Sequence, residues 1–327
     1  MNLSILGCGD YLRWQLADLK NSPRVRIASV FDPDRARAEK FAAELGVPVA
    51  ASPEAIWGDP AIDAVALFVP PWVRRELFLK AAAAGKHILC TKPLASHVDD
   101  CEAMAAAAER AGIRAGVLYG RSSDAWVAAV RELLATERFG RLALYRQDWI
   151  HAYPRWNSWA TNPEKNGGPF MDAMVHNLNA ACHLMGPQRP VRRHTFFSHR
   201  LAHPGLACAD TECMVVEFEG GVAHLFITWA ADLATHSTEG NDREHIDLFY
   251  LITDKGWRIT KEWRDGAPVI AASREGSTEI LPCPPLAKTP YEAFARHVED
   301  GAAFPAPLAT LAEATRDIRL CRSPKSV

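Results

Sequence analysis

The sequence predicts an α/β chain in two parts: an N-terminal doubly wound parallel sheet, then an α+β domain built on a mostly antiparallel open sheet. Three observations carry this expectation. From residue 2 to about 120, short apolar runs alternate with helix-like stretches, which implies parallel βαβ units. Beyond Pro190 the apolar spacing shortens to two, as in strands with one covered face. A Gly7-Cys8-Gly9 turn falls directly between the first strand and the first helix. With 327 residues and about 150 residues per domain, two domains are expected, at 1–120 and 121–327.

The elements follow in order. "NLSIL" (2–6) opens the sheet, a helix starts at Asp10, and "RVRIASVF" (24–31) is a second strand. In "DRARAEKFAAELG", Ala38, Phe41, Ala42 and Leu45 recur at i, i+3, i+4 and i+7, and Gly46 stops the helix. "IDAVALFV" (62–69) is almost continuously apolar, as suits a strand covered on both faces. A helix ends at Gly85 and "KHILC" (86–90) follows as a strand. Ser96 with Asp99 reads as a capping box for a helix carrying Val98, Cys101, Met104, Ala105 and Ala108, closed by Gly112. "IRAGVLY" (113–119) is a further strand, and one helix spans roughly 123–137. After "RLALYRQDWI" come an aromatic loop (151–169) and an apolar helix. "ECMVVEFEGGVAHLFITWA" then reads as a hairpin around Gly220–Gly221, and "HIDLFYLIT" and "GWRITKEW" as further strands.

Composition narrows the function classes. Hydrophobic residues make up 48% and charged residues 23%, and 37 basic against 39 acidic residues leave a net charge of −2. The basic doublets Arg74–Arg75 and Arg192–Arg193 form no patch of the kind that binds nucleic acid. No apolar run approaches the ~18 residues of a membrane span. The N-terminus lacks a basic region and cleavage site, so a cytoplasmic location is expected. Eight cysteines are scattered without a C-x-x-C pair, which suits reduced thiols packed as small hydrophobes.

Two stretches after the strands carry chemistry. Gly7 and Gly9 stand where a dinucleotide's pyrophosphate would meet backbone N–H groups and a positive helix end. The third position of that glycine pattern is Leu12. Asp32 ends the second strand, 23 residues beyond Gly9, where a carboxylate accepts from a ribose diol and repels a 2′-phosphate. NAD is therefore expected over NADP, although Arg35 and Arg37 stand close enough in sequence to reach a 2′-phosphate. Asp32 also reads as a plain helix cap in "FDPD". In "GKHILCTKPLA", Lys92 falls just past the carboxyl end of a strand, where open α/β sheets bind ligands, and burial there would lower its pKa.

The third stretch is "NGGPFMDAMVHNLNAACHLMG" (166–186), apolar on nearly every side. Asp172, His176, Asn179 and His183, at spacings of four, three and four, fall within an arc of roughly 60°. Burying an unpartnered polar group costs about 1–3 kcal/mol. The seam is therefore either a satisfied structural network or a functional site. A metal site from Asp172, His176 and His183 lacks an evident further carboxylate or cysteine, so no metal is expected.

In their order and spacing "GCGDYL", "FDPDRARAEKFAAELG", "GKHILCTKPLA" and "NGGPFMDAMVHNLNAACHLMG" resemble the glucose-fructose oxidoreductase/inositol dehydrogenase (Gfo/Idh/MocA) family over essentially the whole chain. The family's Glu-Lys-Pro reads Thr91-Lys92-Pro93, its Thr-Pro-Asn reads Val69-Pro70-Pro71, and the acidic residue three beyond the histidine is Asn179. The resemblance implies a Rossmann domain contacting NAD through Gly7, Gly9, Asp10, Tyr11, Leu12, Asp32, Pro70 and Lys92. It also implies oxidation of a secondary alcohol of a sugar, inositol or related polyol. In that reading His176 removes the hydroxyl proton, Asp172, about 6 Å away along the helix, orients the ring or grips a hydroxyl, and Lys92 favours the alkoxide. Arg155 and Trp156, with Tyr153, Asn157 and Trp159 of the aromatic loop, could offer faces and donors for the substrate, or the indoles could pack in the core. Two alternatives stay open: a glycosidase using NAD for transient oxidation, and a non-catalytic NAD-binding sensor. The implied assembly is a homodimer or homotetramer.

Overall fold

The computed structural model describes residues 1–154, 159–231, 246–302, 304 and 308–322. The chain forms two compact units, Met1–Tyr119 with Ala287–Arg319, and Gly120–Leu286 with Leu320–Val327. The division at 120/121 expected from sequence therefore omits one feature: segment 287–319 returns to the first unit.

In the first unit the order is β1 (Asn2–Leu6), α1 (Asp10–Lys20), β2 (Arg26–Phe31), α2 (Arg35–Leu45), α3 (Pro53–Gly58), β3 (Ala64–Leu67), α4 (Pro71–Ala83), β4 (His87–Thr91), α5 (Val98–Ala111) and β5 (Ala115–Leu118). The strands form one parallel sheet in the order β2-β1-β3-β4-β5. β3 is buried along its whole length, as its continuous apolar run requires. Asp34 caps α2 and Gly46 ends it in the left-handed region at φ 68°. The residue directly before α5 is His97, whose side chain makes no cap bond, and Ser96, one residue earlier, is buried.

The returning segment completes this unit. Val117 and Ala309 exchange both backbone hydrogen bonds, at 2.9 and 3.0 Å, which covers the free edge of β5. Tyr291, Phe294 and Leu308 join the core of Leu3, Ile5, Leu12 and Phe41.

In the second unit a 3₁₀ turn (Arg121–Ser123) precedes α6 (Ala125–Leu134), so the helix expected at 123–137 is shorter and split. Then come β6 (Leu142–Ile150), a π-helical turn (Phe170–Met174), α7 (Val175–Leu184), β7 (Pro190–His199), β8 (Thr211–Phe218), β9 (Gly221–Thr228), β10 (Ile246–Thr253), β11 (Arg258–Arg264), β12 (Ala267–Arg274) and β13 (Ser277–Pro282). The chain ends in α8 (Pro290–Glu299) and α9 (Leu311–Arg322). The eight strands order β13-β12-β11-β10-β6-β9-β8-β7, antiparallel except for β6 beside β9. The β8–β9 hairpin turns at Glu219–Gly220, as the sequence predicts. One face of the sheet, with Tyr145, Met214, Val216, Leu225, Ile227, Leu251 and Ile259, packs on Trp126, Val127, Val130, Leu178 and Ala181 of α6 and α7. Phe249 stacks on Trp126 from this side at 4.4 Å, so alternation turns Leu248 and Tyr250 outward, where both are exposed.

Because Phe294 is wholly buried in the first unit's core, Phe294→Ala should lower the stability of that unit by about 3–5 kcal/mol. Urea unfolding followed by circular dichroism measures this, and an unchanged midpoint would separate α8 from that core.

Candidate active site

The first strand runs into Gly7, at φ 102°, where a Cβ would lie 2.3 Å from the carbonyl oxygen of Phe68, so the turn requires glycine. Gly9 stands immediately before α1, and a Cβ built on it meets nothing within 4 Å. The space before the helix end is therefore open to a ligand, and the first N–H groups of α1 point to it with the positive end of the helix dipole. Asp32 is fixed beside this opening by accepting from the N–H groups of Cys8 and Asp34, both at 2.8 Å. The cap in "FDPD" is Asp34, which accepts from Ala36 and Arg37, so the plain capping role does not fall to Asp32. Burial, reinforced by the Asp32 charge, pushes the Cys8 thiol up to about 12 and keeps it neutral. Arg35 and Arg37, the two cations that could serve a 2′-phosphate, pair with Glu39 and Asp34 at 2.8 and 3.1 Å. The amide-lined helix end beside an anchored carboxylate fits a dinucleotide's pyrophosphate and ribose.

The other expected nucleotide residues divide by environment. Asp10 is exposed in the first turn of α1 and Pro70 stands at the cap of α4. Leu12 is wholly buried in the core, so its side chain supports the helix and does not reach a ligand. Tyr11 packs edge-on against Phe68 at 4.9 Å. Burial pushes its hydroxyl up to about 12, an effect opposed by Thr91, the residue standing where the family has glutamate.

Lys92 follows a strand whose Ile88, Leu89 and Cys90 are fully buried, and it is itself half-buried. Its N–H donates to the Leu118 carbonyl at 3.1 Å, and the bond to Pro93 is cis. Arg74, wholly buried, donates to the carbonyls of Pro93, Leu94 and Val69. It thus clamps the loop after Lys92 to the loop after β3. Burial holds its guanidinium below its ordinary pKa. As half of an Arg–Arg doublet Arg74 looks like a surface cation. The usable signal is periodic: Pro71, Arg74, Phe78 and Ala82 share the buried face of α4.

In the second unit, Gly168 at φ 105° turns the chain into the seamed helix and accepts the Asp172 N–H at 3.0 Å. Asn166, wholly buried, donates its amide to Asp172 Oδ1 at 2.7 Å, so the short Asn-Gly-Gly turn positions the carboxylate. The helix is not uniform. Phe170–Met174 form a π-helical turn, which rotates Asp172 relative to the residues of α7 and departs from the regular spacing assumed in sequence. His176 is half-buried, and its Nδ1 accepts the Gly120 N–H at 3.0 Å. Asn179 is buried, and His183 takes Arg131 Nη1 on Nε2 at 3.3 Å.

A buried network supports this end of α7. Arg121 donates to Asn177 Oδ1 at 3.0 Å, pairs with Asp247 and, at 3.4 Å, with Asp124, and lies over the Trp149 ring at 5.0 Å. Gln147 donates to Asp247 at 2.6 Å and receives the Tyr145 hydroxyl. Asn166, Gly120, Arg121 and Asn177 are site supports the sequence reading missed, since their roles depend on contacts distant in sequence. Tyr153 and Trp159 are half-buried, with Tyr153 edge-on to His203 at 4.7 Å. Arg155, Trp156 and Asn157 lie outside the described residues.

Residues 1–119 match a family model described as the oxidoreductase family with an NAD-binding Rossmann fold, and residues 127–267 match the GFO/IDH/MocA C-terminal domain. The chain belongs to the Gfo/Idh/MocA oxidoreductase family. Among relatives, 1,5-anhydro-D-fructose reductase of Ensifer adhaerens is 33% identical over 156 residues, 47% of this chain and 47% of that one. The scyllo-inositol 2-dehydrogenase (NAD(+)) of Bacillus subtilis is 26% identical over 226 residues, 67% of this chain and 64% of that one. The matches thus span about half to two thirds of these curated relatives. The aldose-aldose oxidoreductase of Caulobacter crescentus shares the fold, with a TM-score of 0.83, 20% identity, and coverage of 99% of this chain and 96% of that one. The Gfo/Idh/MocA assignment makes NAD the cofactor that the Gly7–Gly9 loop and Asp32 would hold.

Gly9→Ala has room in the protein alone, so it should fold with at most about 1 kcal/mol lost at the cap, yet weaken NAD binding tenfold or more. Gly7→Ala, facing a backbone carbonyl, should lose stability and NAD binding together. Thermal melts with NAD titration check both; unchanged affinity in Gly9→Ala would move the pyrophosphate elsewhere.

Proposed function

We propose that the protein transfers hydride between NAD and a secondary alcohol of a sugar, inositol or related polyol. The observation that carries this reading is the pair Asp172 and His176, each held by a fixed partner, Asn166 and Gly120, on a helix otherwise committed to the core. Such an arrangement keeps a carboxylate and an imidazole at defined positions, the requirement for gripping and deprotonating a hydroxyl. NAD, when bound, supplies the hydride acceptor. The chain's own groups do the rest: Asp32 takes the adenine ribose, and Lys92, Asp172 and His176 bind and deprotonate the reacting alcohol, with Arg155 and Trp156 contributing to substrate binding. Two relatives named for an anhydrofructose and an inositol support a cyclic polyol-like substrate.

The outward Leu248 and Tyr250 support a homodimer or homotetramer paired through the open face of the eight-stranded sheet. Eight free cysteines, seven of them buried, support work in a reducing cytoplasm. No helix among the described residues is long and apolar enough to cross a membrane.

A panel of polyols and sugars followed by nicotinamide absorbance tests the reaction class. Oxidation with net NADH formation is expected, with NAD preferred over NADP and Asp32→Ala narrowing that preference. Bound NAD with cleavage of a glycoside and no NADH accumulation would give the site to a glycosidase, and tighter NADP binding would remove Asp32 from the ribose. In light scattering, the double change Leu248→Glu and Tyr250→Glu should lower the assembled mass to that of a smaller species, and a wild-type monomer would refute pairing.

A further inference from the structure

Arg74 is wholly buried, yet its hydrogen bonds reach no acid. Its acceptors are the carbonyls of Val69, Pro93 and Leu94, and among the described residues its Nε has none. The ionisable side chains that act on it are Cys90, Cys101, Tyr11 and Tyr119. Burial pushes the first three up to about 12, so they stay neutral at neutral pH and supply no counter-charge. Thr91, two residues before the clamped Pro93 carbonyl, stands where the family has glutamate, so this strand end adds no carboxylate. Carbonyl dipoles offset part of the cost of burying the guanidinium, and its positive charge is left standing inside the first unit.

The strand order says which part of the cofactor meets that charge. The sheet runs β2-β1-β3-β4-β5, with Asp32 just past β2 and the Gly7–Gly9 turn just past β1. A dinucleotide with its adenine ribose at Asp32 and its diphosphate at the glycine turn continues toward the ends of β3 and β4. Those ends carry the loops at Val69–Pro70 and Lys92–Pro93, the two that Arg74 clamps together. The nicotinamide end thus falls to the Arg74 platform, within two strand spacings, about 10 Å, of the glycine turn. The positive end of α4, which starts at Pro71, lies at the same edge of the sheet.

We propose that Arg74 sets the redox preference of the cofactor site, its buried charge favouring the neutral ring of NADH over the cationic ring of NAD. The two forms share the diphosphate and both riboses and differ by one positive charge on the ring. A like charge about 10 Å away, at an effective dielectric of about 20, weakens binding of the cationic form about tenfold. A hydride reaching the ring brings the electron pair that cancels its charge. Bound NAD is therefore a stronger oxidant than free NAD, by about 30 mV for each tenfold of preference. This preference depends on the family's cofactor and on no particular alcohol, so it stands or falls separately from the reaction proposed above.

Titrating the full chain with NADH by fluorescence and with NAD by calorimetry reads the ratio of the two dissociation constants, with no substrate present. The wild type should hold NADH about tenfold more tightly. Arg74→Lys should keep most of that preference, while Arg74→Met and Thr91→Glu should bring the ratio close to one. Thr91→Glu leaves the clamp in place, so it carries the test should Arg74→Met not fold. Arg75→Met, which removes an exposed arginine paired with Asp100 at 3.3 Å, should leave the ratio unchanged. A wild type that binds both forms equally or NAD more tightly, or a Thr91→Glu variant that keeps the wild-type ratio, would overturn the proposal. So would equal weakening of both forms in Arg74→Met, the result expected from loss of a purely structural clamp. Binding of neither form would overturn it together with the cofactor.

Discussion

A helix buried on nearly all sides can carry a carboxylate and an imidazole only if each finds a hydrogen-bond partner off the helix. That constraint shapes the second unit. Asp172 and His176 are half-buried, and an unpartnered polar group costs about 1–3 kcal/mol when burial is complete, so fixed partners matter at both positions. Asn166 meets the requirement for Asp172 and the Gly120 amide meets it for His176. Meeting it makes demands in turn: a glycine turn at 167–168 to bring Asn166 back, and a buried Arg121 beside Gly120. Arg121 then needs anions, which Asp124 and Asp247 provide, and burial without them would be prohibitive.

The first unit solves a related problem at its strand ends. The loops after β3 and β4 leave carbonyls at Val69, Pro93 and Leu94 inside the protein, where they need donors. One arginine on the buried face of α4 answers all three. The result is a stiff platform next to Lys92, while Tyr11 at the start of α1 packs on Phe68.

Much of this architecture is legible in the sequence because local physics carries it. β3 announces itself as a continuous apolar run, α2 by its period and by Gly46, and the β8–β9 hairpin by alternation around two glycines. The glycine turn and Asp32 are legible for the same reason, since a dinucleotide needs them at fixed spacing. What escaped is whatever depends on distant partners. Ser96 looks like a cap but is buried beyond the helix, and Leu12 stands at a motif position yet serves the core. Arg74 and Arg121 resemble surface cations until packing buries them, and the π-helical turn at Phe170–Met174 leaves the pattern of apolar residues unchanged. The return of residues 287–319 is likewise invisible, because helix periodicity does not say which core a helix joins.

That return has a consequence for how the chain is made. Emerging from the ribosome, residues 1–119 contain every strand of the parallel sheet, yet β5 keeps an open edge until Ala309 pairs with Val117. The gap left for Tyr291 and Phe294 also stays open until then. The eight-stranded sheet, complete by Pro282, is synthesised in the meantime. The nucleotide-binding unit, first to begin, is thus the last to close, and an unfinished chain spends most of its synthesis with a strand edge that chaperones or neighbouring nascent chains can engage.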